Sequence, residues 1–276
     1  MKSLKTPLRY PGGKSRATIK LSQFFPDFSD YKQFREPFVG GGSVAIYVTK
    51  MNPSLSIWVN DLYEPLYTFW DQLQKNGGKM RNELVQLKQR YCDPTSARNL
   101  FQQAKDYLNE TDTEPFHRAV SFYVLNKCSF SGLTESSSFS PAASESNFSM
   151  RGIEKLPEYS ELIKNWKITN FSYEIMMDCD SKIFLYLDPP YDIKDNLYGK
   201  KGSMHKGFDH DKFASDCNLN KSQPMLISYN SDQLVKDRFT DWNTAEFSHT
   251  YTMRSVGSYN KDQQERKELV LLNYEV

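Results

Sequence analysis

The segment Phe38-Val39-Gly40-Gly41-Gly42-Ser43-Val44-Ala45 constrains this chain of 276 residues more than any other. It follows an extended run, Gln33–Phe38, and opens a helical one, Gly40–Lys50, so three glycines fall where a strand turns sharply into a helix. A second extended run, Ser56–Asn60, then ends on Asn60-Asp61. Strand, glycine turn, helix, strand and terminal acid make up a nucleotide-binding α/β unit. The glycines let the backbone approach a ligand, and the acid holds both hydroxyls of a ribose. Gly40-x-Gly42-x-x-Ala45 also satisfies the dinucleotide fingerprint, so a nicotinamide cofactor and S-adenosylmethionine both fit this turn.

The rest of the chain continues the alternation after an interruption. Lys14–Phe25 reads as helical, and from Pro65 to Asn126 the pattern is wholly helical, with apolar spacing such as Leu84, Leu87 and Tyr91. Residues 129–149 are rich in serine and nearly uncharged, which predicts an exposed loop or irregular hairpin. Extended runs return at Trp166–Asn170, Lys182–Leu187 and Met225–Tyr229, with a helix over Asp209–Cys217 and closing strands near Ala245–Thr252 and Glu268–Tyr274. This order predicts one mixed, largely parallel α/β sheet flanked by helices and interrupted by an inserted helical module.

Asp188-Pro189-Pro190-Tyr191 follows the apolar run Lys182–Leu187 and places a carboxylate, a constrained carbonyl and an aromatic ring at a strand's end. Proline lacks an amide proton and fixes its own φ, so Asp188 and Pro189 are held extended and the Pro189 carbonyl stays free to accept. An exocyclic NH2 offers two donors to these two acceptors, while the ring stacks on the heterocycle that carries it. The set reads as a clamp for an aminopurine or similar amine. A dehydrogenase has no use for such a clamp, whereas S-adenosylmethionine needs the same turn and ribose acid, and its positive sulfonium and amino-acid carboxylate call for acidic and basic groups in the pocket. Arg9-Tyr10-Pro11-Gly12-Gly13-Lys14 adds a ring and a flexible amine for the methionine end of that donor. A Walker reading of Gly13-Lys14-Ser15 fails, because its first glycine falls at position 8, where Leu8 stands.

Composition excludes several classes. Thirty-five basic against 34 acidic residues give no overall polyelectrolyte character, although residues 1–35 are locally cationic. Cys92, Cys128, Cys179 and Cys217 show no paired spacing, so neither zinc nor a disulfide scaffold is expected, and no metal is expected at His205 and His210. No apolar run approaches the ~20 residues of a membrane span, and a cytoplasmic, nucleoid-associated protein with no membrane partner is expected.

Five segments in order, Tyr10–Lys14, Glu36–Val44, Asn60-Asp61-Leu62, Tyr186–Tyr191 and Leu226-Ile227-Ser228-Tyr229-Asn230, together resemble the Dam-like DNA adenine N6-methyltransferases. The resemblance implies a Rossmann-like methyltransferase sheet, mostly parallel with an antiparallel edge. Its catalytic domain would be 1–71 and 172–276, with 72–171 an inserted DNA target-recognition domain. It further implies methyl transfer from S-adenosylmethionine, leaving S-adenosylhomocysteine, to adenine N6 in duplex DNA with the base flipped out. Carried over position by position, Tyr10 and Lys14 would contact the cofactor's methionine end, Phe38, Gly40 and Gly42 would line its pocket, and Asp61 would bind its ribose. Asp188 would touch both cofactor and target amine; Pro189 would accept the second amine hydrogen, Pro190 would complete the clamp and Tyr191 would stack on the base.

Family members often show Trp-Ala where this chain has Tyr10-Pro11. Relatives that read GATC usually carry a basic residue in the recognition hairpin, and Ser129–Met150 has none, only Lys127 and Arg151 at its flanks; GATC is therefore not implied. Lys194, Lys200, Lys201, His205 and Lys206 offer phosphate contacts, and Arg254–Asn260 a cover for the base. The clamp alone also suits cytosine N4, an RNA base or a protein amide, and a non-catalytic DNA-binding relative would share the fold. A cognate restriction endonuclease is a further possible partner; the oligomeric state is not encoded in any motif.

Overall fold

Five consecutive apolar residues, Ile183–Leu187, suit a strand covered on both faces, and this strand lies at the centre of the sheet. The computed structural model describes residues 5–10, 12–132, 138–177, 180–191, 207–249 and 266–275. Pro11, Cys179, Lys194, Lys200, Lys201, His205, Lys206 and Arg254–Asn260 lie outside the described residues. Strands β1 (Gln33–Glu36), β2 (Ser56–Asn60), β3 (Lys167–Thr169), β4 (Ile183–Leu187), β5 (Met225–Asn230), β6 (Asn243–His249) and β7 (Arg266–Leu272) form a seven-stranded sheet in the order β3-β2-β1-β4-β5-β7-β6. The first five are parallel, and β7 runs antiparallel to both β5 and β6. The Rossmann-like sheet with an antiparallel edge is thus present.

Period-two alternation divides the core. On β4, Phe184 and Tyr186 join one hydrophobic cluster while Ile183, Leu185 and Leu187 join the other. Val270 and Leu272 of β7 lie with the first set, Leu269 and Leu271 with the second.

Helix α1 (Thr18–Leu21) is a single turn between 3-10 turns at Lys14–Arg16 and Ser22–Phe24, which corrects the single helix expected over Lys14–Phe25. Pro26 forces Phe25 to extend (φ −75°, ψ 143°) and ends the run. Helix α2 (Ser43–Met51) alone joins β1 to β2. Among the described residues six helices separate β2 from β3: α3 (Glu64–Arg90), α4 (Pro94–Asn109), α5 (Pro115–Cys128), α6 (Pro141–Ser146), α7 (Met150–Ile153) and α8 (Leu156–Leu162). Helix α3 continues through residue 72 and kinks at Asn76 (φ −132°, ψ 24°). Its first turns bury Leu66, Phe69, Trp70 and Leu73 in the same cluster as Phe34 and Val59, and that cluster extends to Leu100, Phe101 and Phe122 of the helical segment. Helices α9 (His210–Leu219) and α10 (Gln233–Arg238) cover the opposite face through Phe213, Cys217 and Val235.

In its described residues, 129–132 and 138–149, the serine-rich stretch carries more regular structure than the expected loop. Ser129 bridges Phe139 in antiparallel fashion, as a hairpin requires, but α6 and α7 follow. The reason is capping: Ser140 Oγ accepts from Ala143 N at 3.2 Å and Ser149 Oγ from Gly152 N at 3.2 Å, with Pro141 at the first helical position. Among the described residues no helix is long and apolar enough to cross a membrane.

Candidate active site

Between β1 and β4 the strand order reverses, and the chain leaves their carboxyl ends in opposite directions, opening a crevice there. A cavity of about 340 Å³ occupies it, within the range of roughly 300–1,000 Å³ usual for small-molecule sites. Tyr10, Lys14, Phe38, Gly40, Gly42, Asp61, Asp188, Pro189, Pro190 and Tyr191 all line this one cavity. The residues expected from the sequence to form the clamp and the cofactor pocket are therefore brought together.

The β1 side is a cradle of open backbone. Gly42 adopts φ +69° as the N-cap of α2, and its N–H donates to Val39 O at 2.7 Å. A Cβ there would meet Trp70 Cζ2 at 2.6 Å, and one on Gly40 (φ +47°) would meet Tyr10 Cε1 at 2.9 Å. Only glycine lets the chain pass between these rings and the cavity. Asp61 Oδ2 accepts from Gly40 N and Oδ1 from Tyr63 N, each at 3.0 Å, which fixes the carboxylate while leaving further lone pairs for a ligand's hydroxyls. The Phe38 ring packs against Tyr173 at 5.5 Å and Phe208 at 5.8 Å, an apolar wall suited to a planar base. These groups fit a nucleoside-bearing cofactor.

Burial pushes Asp61 up to about 6, against the pull of its two backbone donors. A carboxyl raised in the fold contributes stability that is complete below its unfolded value near 4 and is lost as pH rises through about 6. Asp61→Asn should therefore show a melting temperature that improves relative to wild type between pH 4 and 7 and then holds level. A difference that does not vary with pH would count against this assignment.

The β4 side holds the charges. Lys14, only 3% exposed, extends its ammonium to Asp188 Oδ1 at 2.7 Å and Oδ2 at 2.9 Å, and donates to the Tyr191 hydroxyl at 2.5 Å. Ser228 Oγ, itself 2.8 Å from the Tyr186 hydroxyl, donates to Asp188 Oδ1 at 3.1 Å. The Tyr191 ring stacks on Tyr229 with centroids 5.9 Å apart. Burial pushes Asp188 up to about 6, opposed by Lys14 and reinforced by Glu268. Glu36, whose Oε2 accepts from Ala45 N at 2.8 Å and so caps α2 from outside, is held well above its ordinary value by burial and then by Asp188.

Two features escaped sequence reasoning. Glu268, at 0% exposure, was absent from the candidates, because it closes the charged run Glu265-Arg266-Lys267-Glu268 before Leu269-Val270-Leu271-Leu272 and nothing in that run marks which charge is buried and so demands a partner. Asn126, also fully buried, accepts from Arg9 N at 2.9 Å and donates to Arg9 O at 2.6 Å and Gly132 O at 3.0 Å, tying the amino-terminal loop to the hairpin. Lys127 is pushed down to about 8 by burial and then by Arg9, and Arg151 is exposed on α7; neither lines the cavity.

A doubly wound sheet whose glycine turn after β1 and Asp188-Pro189-Pro190-Tyr191 after β4 open onto one crevice is consistent with a group-transfer enzyme of the methyltransferase class. The family model for D12 class N6 adenine-specific DNA methyltransferases matches residues 10–253, and the chain belongs to that family. It is accordingly a site-specific DNA methyltransferase acting on adenine N6, with S-adenosylmethionine as the general methyl donor. The type II methyltransferase M.MjaIII of Methanocaldococcus jannaschii is 26% identical over 67% of this chain and 68% of its own length. Type II methyltransferase M1.LlaDCHI of Lactococcus lactis is 23% identical over 96% and 94%. The DNA adenine methylase of Haemophilus influenzae is 23% identical over 96% and 92%.

Proposed function

We propose that the cavity seats S-adenosylmethionine against Gly40 and Gly42, with its ribose hydroxyls on Asp61, its base beside Phe38 and its methionine end toward Tyr10 and Lys14. When bound, this cofactor supplies a methyl group on a sulfonium. Asp188 and the Pro189 carbonyl accept the two hydrogens of the target N6, which favours the pyramidal nitrogen whose lone pair can attack. Pro190 holds the turn rigid, and Tyr191 stacks on the extruded adenine; extrusion costs only a few kcal/mol. With its carboxyl at about 6, Asp188 is ionised and able to accept at neutral pH.

The observation that carries this reading is that Asp188 opens onto the same cavity as the glycine turn and Asp61. Labelled methyl transfer to duplex DNA, followed by nucleoside analysis, tests it. The expected product is N6-methyladenine, and N4-methylcytosine or no labelled base would reject it.

The inserted segment 72–171, apart from β3 near its end, which pairs with β2 in the sheet, is assigned to target recognition. It intervenes where a single helix would suffice, and Gly132, in its hairpin, lines the cavity. Two type II methyltransferases among the relatives support a cognate restriction endonuclease as partner. Single-molecule sequencing of DNA from cells that express the protein would read out its target, and a nuclease of that specificity should fail to cut this DNA.

A further inference from the structure

We infer that Glu268 is a positioning residue of methyl transfer, anchoring the Tyr191 hydroxyl and the Lys14 ammonium from the antiparallel strand β7 so that the clamp presents Asp188 and the Tyr191 ring to the cleft. This rests on the placement of the target amine at Asp188 and Tyr191. The Tyr191 hydroxyl donates to Glu268 Oε1 at 2.6 Å, and the same oxygen lies 3.2 Å from Lys14 Nζ. Lys14, Tyr191 and Glu268 therefore close a triangle of charge-assisted contacts beside the clamp, and Lys14 extends it to both oxygens of Asp188.

Charge balance by itself does not call for this acid. Asp188 already meets the Lys14 ammonium with both oxygens, and a second carboxylate at 0% exposure carries a desolvation cost that an apolar residue would avoid. What Glu268 adds is a fixed point for the phenol. Period two places it on the face of Val270 and Leu272, toward the amino-terminal turn that carries Lys14. Its place opposite Asn230 in the β5–β7 ladder and opposite Phe247 in the β6–β7 ladder sets its height along the strand. A one-residue slip would turn it to the other face. Among the described residues, Lys14 from the amino-terminal 3-10 turn, Glu36 from β1, Glu268 from β7 and Tyr186 from its own strand act on Asp188, and Tyr191 reaches it through Lys14. Of the acids, Glu268 presses Asp188 toward protonation.

The test uses the full chain, with kcat for duplex methylation measured across pH. Glu268→Gln should lower kcat by about 10- to 100-fold, as losing an outer partner that orients a reacting group does, with little change in duplex Kd. Its acid limb should move to lower pH, because removing a neighbouring negative charge eases ionisation of Asp188. Glu268→Asp keeps the charge but shortens the reach, so kcat should fall with the limb in place. In a Tyr191→Phe background the Glu268→Gln loss should be smaller than in wild type, since the contact it removes is already gone. Wild-type kcat in both Glu268 variants would overturn the inference, as would an additive loss in the double variant with an unmoved limb. Should Glu268→Gln fail to fold, Glu268→Asp decides: wild-type kcat there overturns the inference. An active Asp188→Ala would instead sink the placement of the amine itself, while inert Asp188→Ala beside fully active Glu268 variants would sink only the role of Glu268.

Discussion

Asp188→Ala should reduce methyl transfer to duplex DNA by at least about 100- to 1000-fold, the usual consequence of removing one group aimed at charge developing in a transition state. The exocyclic amino nitrogen N6 of adenine is a poor nucleophile while planar, because its lone pair is delocalised into the ring, and Asp188 supplies one of the two acceptors proposed to hold it pyramidal. Only the Pro189 carbonyl would remain. The fold should survive the substitution, because Lys14 keeps Glu268 at 3.2 Å and the Tyr191 hydroxyl at 2.5 Å and is not left as an isolated buried charge. Loss of rate with a near-native melting curve is therefore the expected pair of results. The wild-type rate should also decline below about pH 6, as the raised Asp188 carboxyl protonates. A variant within tenfold of wild type would remove Asp188 from the reaction.

Gly42→Ala should damage stability and cofactor binding together. Alanine at φ +69° carries a left-handed backbone cost of roughly 1–2 kcal/mol. Its Cβ would also stand 2.6 Å from Trp70 Cζ2 and 2.8 Å from Cη2. Trp70 cannot easily yield: it is fully buried, and its indole N–H donates to Gly40 O at 3.0 Å, inside the same turn. Overpacking of this kind typically costs a further ~1–3 kcal/mol. A melting temperature lower by roughly 5–15 °C follows for a chain of this size. Cofactor titration should show weakened binding even where the variant is folded, because the displaced turn carries Gly40 and, through its N–H, Asp61. Unchanged melting would show that the turn relaxes at no cost.

The local motifs were legible because each is a short-range property. Glycines at 40–42 after an extended run, an acid closing the next strand and two prolines after an apolar run set backbone conformation within a few residues. Parallel strands then carry all their carboxyl ends to one edge, so motifs written at strand ends converge there. The serine-rich stretch misled for a related reason. Serine disfavours helix interiors yet caps them, and Ser140 and Ser149 serve as caps, a role that depends on one position and is lost in an average over composition.

The amino-acid sequence by itself determined the α/β alternation, the glycine turn after β1, the acid closing β2 and the Asp-Pro-Pro-Tyr turn after β4, all set by neighbours a few residues away. Tertiary structure alone decided which charges meet. Lys14 reaches Asp188 across 174 positions, and Glu268 reaches Tyr191 across 77, from a strand that runs the opposite way. Such pairings follow from strand order and register, which packing of both sheet faces selects and no local spacing records.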